Sequence, residues 1–274
     1  MNRVFKHTLI LLQALLISTR LHAETAPAQI AISPAMFELK IGSKPVYDSV
    51  RLKNLKKEPV TLKVEVYNWT LDEENKLQLL PPDPQSIDQW MMINPVNFTI
   101  EPGKEQVIRF SIRPRSTPSP GEHRAIIYFS EQPRQSEGDG VEMLFKIGVG
   151  IYGYADEIRH AGTLQRLQLD KASSTLHAEI QNNGNVHARL KGSYAIWKKG
   201  SFPGFKSMGS YTNWPPDKPK PEGFIASGDL NNTPVLAGKK RTIVTRLPLP
   251  NDKTGYMVTV SGTIDDAKVE KILQ

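Results

Sequence analysis

Hydrophobic and polar residues alternate with a period of two along most of the chain. Val60, Leu62, Val64 and Val66 are separated by Thr61, Lys63 and Glu65. Ile108, Phe110 and Ile112 alternate with Arg109, Ser111 and Arg113, and Ala125, Ile127 and Phe129 stand between Arg124, Ile126, Tyr128 and Ser130. The longest such run is Val141, Met143, Phe145, Ile147, Val149 and Ile151. Alternation of this kind gives a strand one apolar and one polar face. Turn-forming clusters separate the runs: Gly42-Ser43, Lys56-Lys57-Glu58-Pro59, Glu101-Pro102-Gly103, Ser119-Pro120-Gly121 and Gly138-Asp139-Gly140. The pattern pauses near Ala155-Asp156-Glu157 and resumes at Leu164. Leu176 to Ile180, Leu190 to Trp197, Ile243 to Leu249 and Tyr256 to Ile264 follow, with a strong turn at Asn182-Asn183-Gly184-Asn185. No segment carries a helical period over three turns. Short strands with frequent turns predict an all-β chain of two immunoglobulin-like β-sandwich domains, at residues 24–157 and 158–274.

The first 23 residues break this pattern. Arg3, Lys6 and His7 precede an apolar stretch from Leu9 to Ile17, and Leu21-His22-Ala23 ends in a small residue. This is the layout of a signal peptide removed on export, and the stretch is too short to span a bilayer, which needs about 20 apolar residues. No later segment is long and apolar enough to cross a membrane as a helix. Removing Arg3, Lys6 and Arg20 takes three charges from the formal +7 and leaves +4. A charge that mild does not call for nucleic acid. The chain has no cysteine, so an exported form depends on core packing alone and has neither a thiolate nucleophile nor a cysteine-zinc site.

Residues 198–226 stand apart. They hold Pro203, Pro215, Pro216, Pro219 and Pro221 together with Phe202, Phe205, Tyr211 and Trp214. A loop this long is unusual within a compact domain. Its aromatics serve either to grip a partner or, the reading favoured on the residues, to pack onto their own domain.

The search for chemistry yields little. Gly148-Val149-Gly150-Ile151-Tyr152-Gly153 fits a dinucleotide fingerprint in spacing, but no helix follows it; glycines in a strand more often mark close backbone approach. His123, His160, His177 and His187 form no ligand spacing and read as solvated strand positions, with His177 and His187 the one pair able to approach across a hairpin. Asp72, Glu73 and Glu74 read as a solvated turn. Sequons at Asn68, Asn97 and Asn231 matter only in a glycosylating host. No serine-hydrolase or zinc-protease motif occurs, so the expectation is a protein that is not an enzyme and needs no cofactor and no metal.

Several stretches carry a family likeness. They are "ISPAMFELKIGSKPVYDSVRLKNLKKEPVTLKVEVYNW" (Ile32 to Trp69), "IEPGKEQVIRFSIRP" (Ile100 to Pro114), "PGEHRAIIYFSEQP" (Pro120 to Pro133) and "VEMLFKIGVGIYGYA" (Val141 to Ala155). "LHAEIQNNGNVHARLKG" and "PVLAGKKRTIVTRLPLP", from Leu176 and Pro234, extend it more weakly into the second half. The chain resembles the periplasmic pilus (fimbrial) chaperones of the chaperone–usher pathway. That resemblance implies a boomerang of two immunoglobulin-like domains and a periplasmic location. It implies pilus or fimbrial subunits as partners, with an outer-membrane usher receiving them. Its mechanism is donor-strand complementation, in which a strand is lent to a subunit that lacks one.

On this resemblance the donor residues are Val141, Met143, Phe145 and Ile147, with Val149 next in line. Read from the residues alone, the same apolar face is the domain's own core, and both readings stand. Family members hold the subunit's terminal carboxylate with an Arg in the first strand and a Lys in the last; the matching positions here are Met36 and Gly150, with Lys146 four residues too early. Neither Met nor Gly binds a carboxylate as an Arg fork does. A second hypothesis follows from this gap: an exported immunoglobulin-like structural or adhesive module without chaperone activity.

Overall fold

In the computed structural model, residues 29–133, 143–212, 214–215, 217–251 and 255–274 are described. The predicted signal peptide and Val141 fall outside them. Among the described residues nearly all regular elements are strands, and the two α-helices, α1 (Ile87–Trp90) and α2 (Phe205–Met208), are single turns.

The first ten strands are β1 (Ile30–Ser33), β2 (Met36–Lys40), β3 (Val46–Asn54), β4 (Val60–Leu71), β5 (Leu77–Leu80), β6 (Met91–Asn94), β7 (Asn97–Ile100), β8 (Glu105–Ile112), β9 (Gly121–Glu131) and β10 (Lys146–Ala155). They form two sheets, ordered β1-β3-β8-β6 and β2-β10-β9-β4-β5, with β7 added beside β4. Between β1 and β2 the chain passes from one sheet to the other at Pro34, which has no amide hydrogen to give to a ladder. The inward faces follow from the alternation. Val50 and Leu52, Ile108, Phe110 and Ile112 from one sheet meet Val60, Leu62, Val64, Ala125, Ile127 and Phe129 from the other. Phe37 packs edge-to-face on Phe110 at 5.1 Å and ties the layers together. The outer face of the larger sheet is covered as well, by Trp69, Ile126 and Tyr152 with Tyr67 and Tyr128 beside them. Central strand β9 is therefore buried on both sides.

The remaining strands are β11 (Gly162–Asp170), β12 (Thr175–Asn182), β13 (Leu190–Lys198), β14 (Phe224–Asp229), β15 (Lys240–Arg246), β16 (Tyr256–Ile264) and β17 (Ala267–Leu273). They make sheets β11-β12-β15 and β14-β13-β16-β17, which share a second core of Leu176, Ala178, Ile180, Ile196, Ile243, Val258 and Val260. No ladder joins a described strand of the first set to one of the second. The 198–226 insertion lies on the outer face of the β13 sheet. Phe202, Phe205, Tyr211 and Trp214 gather around buried Trp197 and Phe224, with Tyr211 only 4.7 Å from Trp197. Its aromatics pack onto their own sandwich.

Each sandwich anchors a turn with a fully buried Asn at the end of a long strand. Asn54 donates to the Glu58 and Ile100 carbonyls at 2.7 and 2.8 Å. Asn182 donates to the Val186 and Val235 carbonyls, both at 2.8 Å, and accepts the Gly184 amide at 2.9 Å. The second turn, Asn182 to Asn185, docks on the first sandwich: the Asn185 carbonyl accepts the Glu122 amide at 2.9 Å. Gly121 (φ 118°) permits that approach, since a Cβ there would stand 2.7 Å from the same carbonyl oxygen. This contact brings the segment leading into β13 against the start of β9.

Candidate functional site

Strand β10 has two different halves. It pairs with β9 along its whole length, Lys146 opposite Ser130 to Ala155 opposite Gly121. On its other side the parallel partner β2 begins only at Gly150, opposite Met36. Over Lys146–Val149 the described residues supply one neighbour, and no described strand pairs with the other edge. The edge is a template for a further strand.

Among the described residues of the Val141–Ile151 run, the ladder with β9 begins at Lys146 opposite Ser130, preceded by one bond from the Glu131 N–H to the Phe145 carbonyl. The proposed donor residues therefore occupy a gradient. Met143 is 86% exposed, and its neighbour Leu144 is exposed as well. Phe145 and Ile147 are half-buried against the first core, and Val149 is wholly inside it. Phe145 lies under the Lys56 ammonium, 5.2 Å from the ring centre, and Lys56 pairs with enclosed Glu131 at 2.5 Å.

The outward face of β10 carries Lys146, Gly148, Gly150, Tyr152 and Tyr154. A Cβ on Gly148 would come within 2.7 Å of Ile126, and one on Gly153 within 2.8 Å of Ile87 on the opposite face. Two glycines of the dinucleotide-like spacing, Gly148 and Gly153, are thus places where neighbouring side chains crowd the strand, whereas Gly150 has room for a Cβ. Lys146 stands over Tyr128, 4.2 Å from its centre, and does not reach the Met36–Gly150 pair.

Met36 and Gly150 lie side by side in register, at the mouth of a cleft between the sandwiches. A cation does stand there, and it comes from the second sandwich. Arg189 donates from Nη2 to the Tyr152 hydroxyl at 3.1 Å and toward Met36 Sδ at 3.7 Å. Its Nη1 donates to the Asn232 carbonyl at 2.7 Å, and its Nε to His187 Nε2 at 3.0 Å. The guanidinium also stacks over Tyr152. Beside it opens a cavity of about 330 Å³, whose lining includes Glu38, Tyr154, His187, Arg189 and Lys191.

Glu122 holds the floor of the cleft. Its enclosed carboxylate accepts His187 Nδ1 at 2.5 Å, the His187 amide at 2.9 Å and Arg124 Nη1 at 2.8 Å. Burial alone would push this carboxyl up; the His187 hydrogen bond and the Arg124 charge outweigh it, so it titrates below the ordinary carboxylate range. Burial raises the Tyr154 hydroxyl strongly, and the nearby Glu38 and Glu122 charges add to that.

Two sequence expectations need correction here. His187 and His123 are buried rather than solvated: His123 is held between the Gln85 and Ser119 carbonyls at 2.6 and 2.8 Å. His177 bonds Thr175 instead, away from the cleft, so the two hairpin histidines are not brought together. In the acidic turn Glu73 and Glu74 are exposed, and Asn75 beside them donates to the Thr242 carbonyl of the second sandwich at 3.3 Å. Among the described residues no three His, Asp or Glu side chains converge as a metal site. Arg189 does not stand out in the sequence, because the family likeness points to two positions in the first sandwich, Met36 and Gly150. The signal was present in "VHARLKG", where His187, Arg189 and Lys191 alternate with buried Val186, Ala188 and Leu190.

No family model and no curated protein sequence matches the chain. Solved structures similar to it include a chaperone–tip adhesin complex of CFA/I fimbriae biogenesis, at 16% identity and a TM-score of 0.48, covering 90% of this chain and 99% of that one. The YadV chaperone is similar at 12% identity and a TM-score of 0.48, with 89% and 98% covered. The CsuC–CsuE chaperone–tip adhesion subunit pre-assembly complex of Acinetobacter baumannii Csu pili is similar at 13% identity and a TM-score of 0.44, with 79% and 90% covered.

Proposed function

We propose that this chain is an exported, periplasmic chaperone for pilus or fimbrial subunits, acting by donor-strand complementation and handing its cargo to an outer-membrane usher. The observation that carries this reading is the open edge of β10 ahead of Gly150, with exposed Met143 and half-buried Phe145 and Ile147 along it. A subunit lacking one strand exposes a groove and two unpaired sheet edges, an aggregation hazard that a lent strand removes. Main-chain hydrogen bonds to Lys146–Val149 supply affinity, and the alternate side chains of Met143, Phe145 and Ile147 set the register. Met adapts to irregular grooves, which suits several subunits. Val149 stays with the chaperone's own core. The family-like sequence stretches and the signal-like first 23 residues support the same assignment.

Arg189 supplies the cation that Met36 and Gly150 lack. Its guanidinium stands at that pair, against the Tyr152 ring, and can take the subunit's terminal carboxylate through Nη1 and Nη2. The second reading, an exported structural or adhesive module, is favoured by one observation: the first sandwich itself offers no cation at Met36 or Gly150. Pull-down of the mature protein from periplasmic extract, with mass spectrometry, separates the two. A small, β-rich exported partner in one-to-one ratio, insoluble alone, is the expected result; a protein recovered without one favours the module.

A further inference from the structure

Among the partners of the Arg189 guanidinium, the Asn232 carbonyl, the Tyr152 hydroxyl and His187, one is an imidazole whose charge can change. The Arg189 Nε–H donates to His187 Nε2, so that nitrogen must present a lone pair. The imidazole proton then sits on Nδ1, where it is donated to Glu122 at 2.5 Å. Glu122 belongs to the first sandwich, and His187 and Arg189 to the second. The chain of bonds Glu122–His187–Arg189 therefore fixes the cleft cation relative to the β10 edge.

We propose that His187 is the positioning residue for Arg189, fixing the plane of its guanidinium at the Met36–Gly150 pair while neutral and freeing that plane to turn when it gains a second proton. The functional consequence rests on the reading of Arg189 as the carboxylate holder; the positioning itself does not. An Nε2 that carries a proton has no lone pair to accept from Arg189, and two cations then face each other across 3.0 Å. Imidazole is the side chain whose charge changes between pH 5 and 8. The groups facing His187 pull in both directions. Glu122 from β9 and Glu38 from β2, at 3.9 Å from Nε2, favour the added charge. Arg189 on its own segment opposes it, as does Arg124 behind Glu122. Tyr152 and Tyr154 from β10 lie against the ring at 4.5 and 6.4 Å between centroids. Once His187 is charged, Arg189 keeps its bonds to Asn232 and Tyr152 but loses the one that sets the plane of its fork.

The test uses the free mature protein, with nitrogen-15 NMR of the His187 ring and of the Arg189 Nε–H from pH 8 to pH 5. His187→Gln and Arg189→Met variants assign the signals. At pH 8 the expected result is a proton on Nδ1, a lone pair on Nε2, and an Arg189 Nε–H that exchanges slowly compared with free arginine at the same pH. That protection falls at least tenfold with the same midpoint as the His187 ring shifts, and shows no step in His187→Gln. A proton on Nε2 at pH 8, or Arg189 protection that is constant through the His187 transition, overturns the proposal. If the variant does not fold, the wild-type titration decides alone. No subunit is present, so failure here is distinct from failure of the chaperone reading, which the pull-down addresses.

Discussion

Replacing Val149 by alanine and, separately, Met143 by aspartate tests whether β10 serves its own sandwich while the segment leading into it serves a partner, as the proposed function requires. Val149 has no exposed surface and packs in the first core. Removing its two methyl groups costs about 0.8 kcal/mol each in transfer energy. The cavity left between tightly packed sheets adds to this, for roughly 2–3 kcal/mol in total. With a urea slope of about 1–3 kcal/mol per molar, the midpoint of the first sandwich falls by about 1 M. Met143 is 86% exposed, so Met143→Asp changes stability by less than about 0.5 kcal/mol. In a subunit groove the same aspartate meets apolar side chains, and affinity falls at least about 100-fold, near 2.7 kcal/mol. Circular dichroism in urea reads the first effect. The yield of soluble complex with a co-expressed subunit reads the second. A Met143→Asp protein that binds subunits normally refutes the donor assignment, and a Val149→Ala protein as stable as wild type refutes the core assignment.

Other changes probe the cleft and the turns. Arg189→Met removes the cleft cation while keeping a long side chain; the protein is expected to fold, and its subunit complex to dissociate at least tenfold faster in a surface-resonance experiment. Glu122 has a folded pKa below its unfolded one, so its contribution is complete above the ordinary carboxylate value of about 4.3 and is lost as pH falls through the folded value. Glu122→Gln is accordingly less stable than wild type at pH 7, and the gap narrows below about pH 4 in urea titrations at each pH. Asn182→Ala leaves the Val186 and Val235 carbonyls and the Gly184 amide without their buried partner, a loss of about 2–4 kcal/mol visible in the second sandwich's unfolding.

Period-two alternation made β4, β8, β9 and β16 legible, because each turns one face to a core that any sheet partner would complete. Strand ends were less legible, since they depend on the neighbour. Among described residues, the apolar run ahead of Ile151 joins the ladder at Lys146, near the end of β9, and the run from Ile243 leaves its ladder at Arg246. Burial of both faces of β9 was hidden for a similar reason: Ile126 looks like an exposed position until Trp69 and Tyr152 close over it. The donor segment was readable only as an apolar face, and the exposure gradient from Met143 to Val149 needed the fold. The cleft was least legible of all. Arg189 meets Met36 across 153 residues, through a docking turn at Asn185 and Gly121 that no local pattern encodes.

The central claim is that the free edge of β10 becomes a paired strand in a complex. Hydrogen exchange of the backbone amides between Met143 and Val149, measured by mass spectrometry on the protein alone and bound to a subunit, tests it most directly. The account predicts slow exchange over this segment in the complex and fast exchange at its Met143 end in the free protein. Equal exchange in the two states, with protection gained elsewhere, contradicts it.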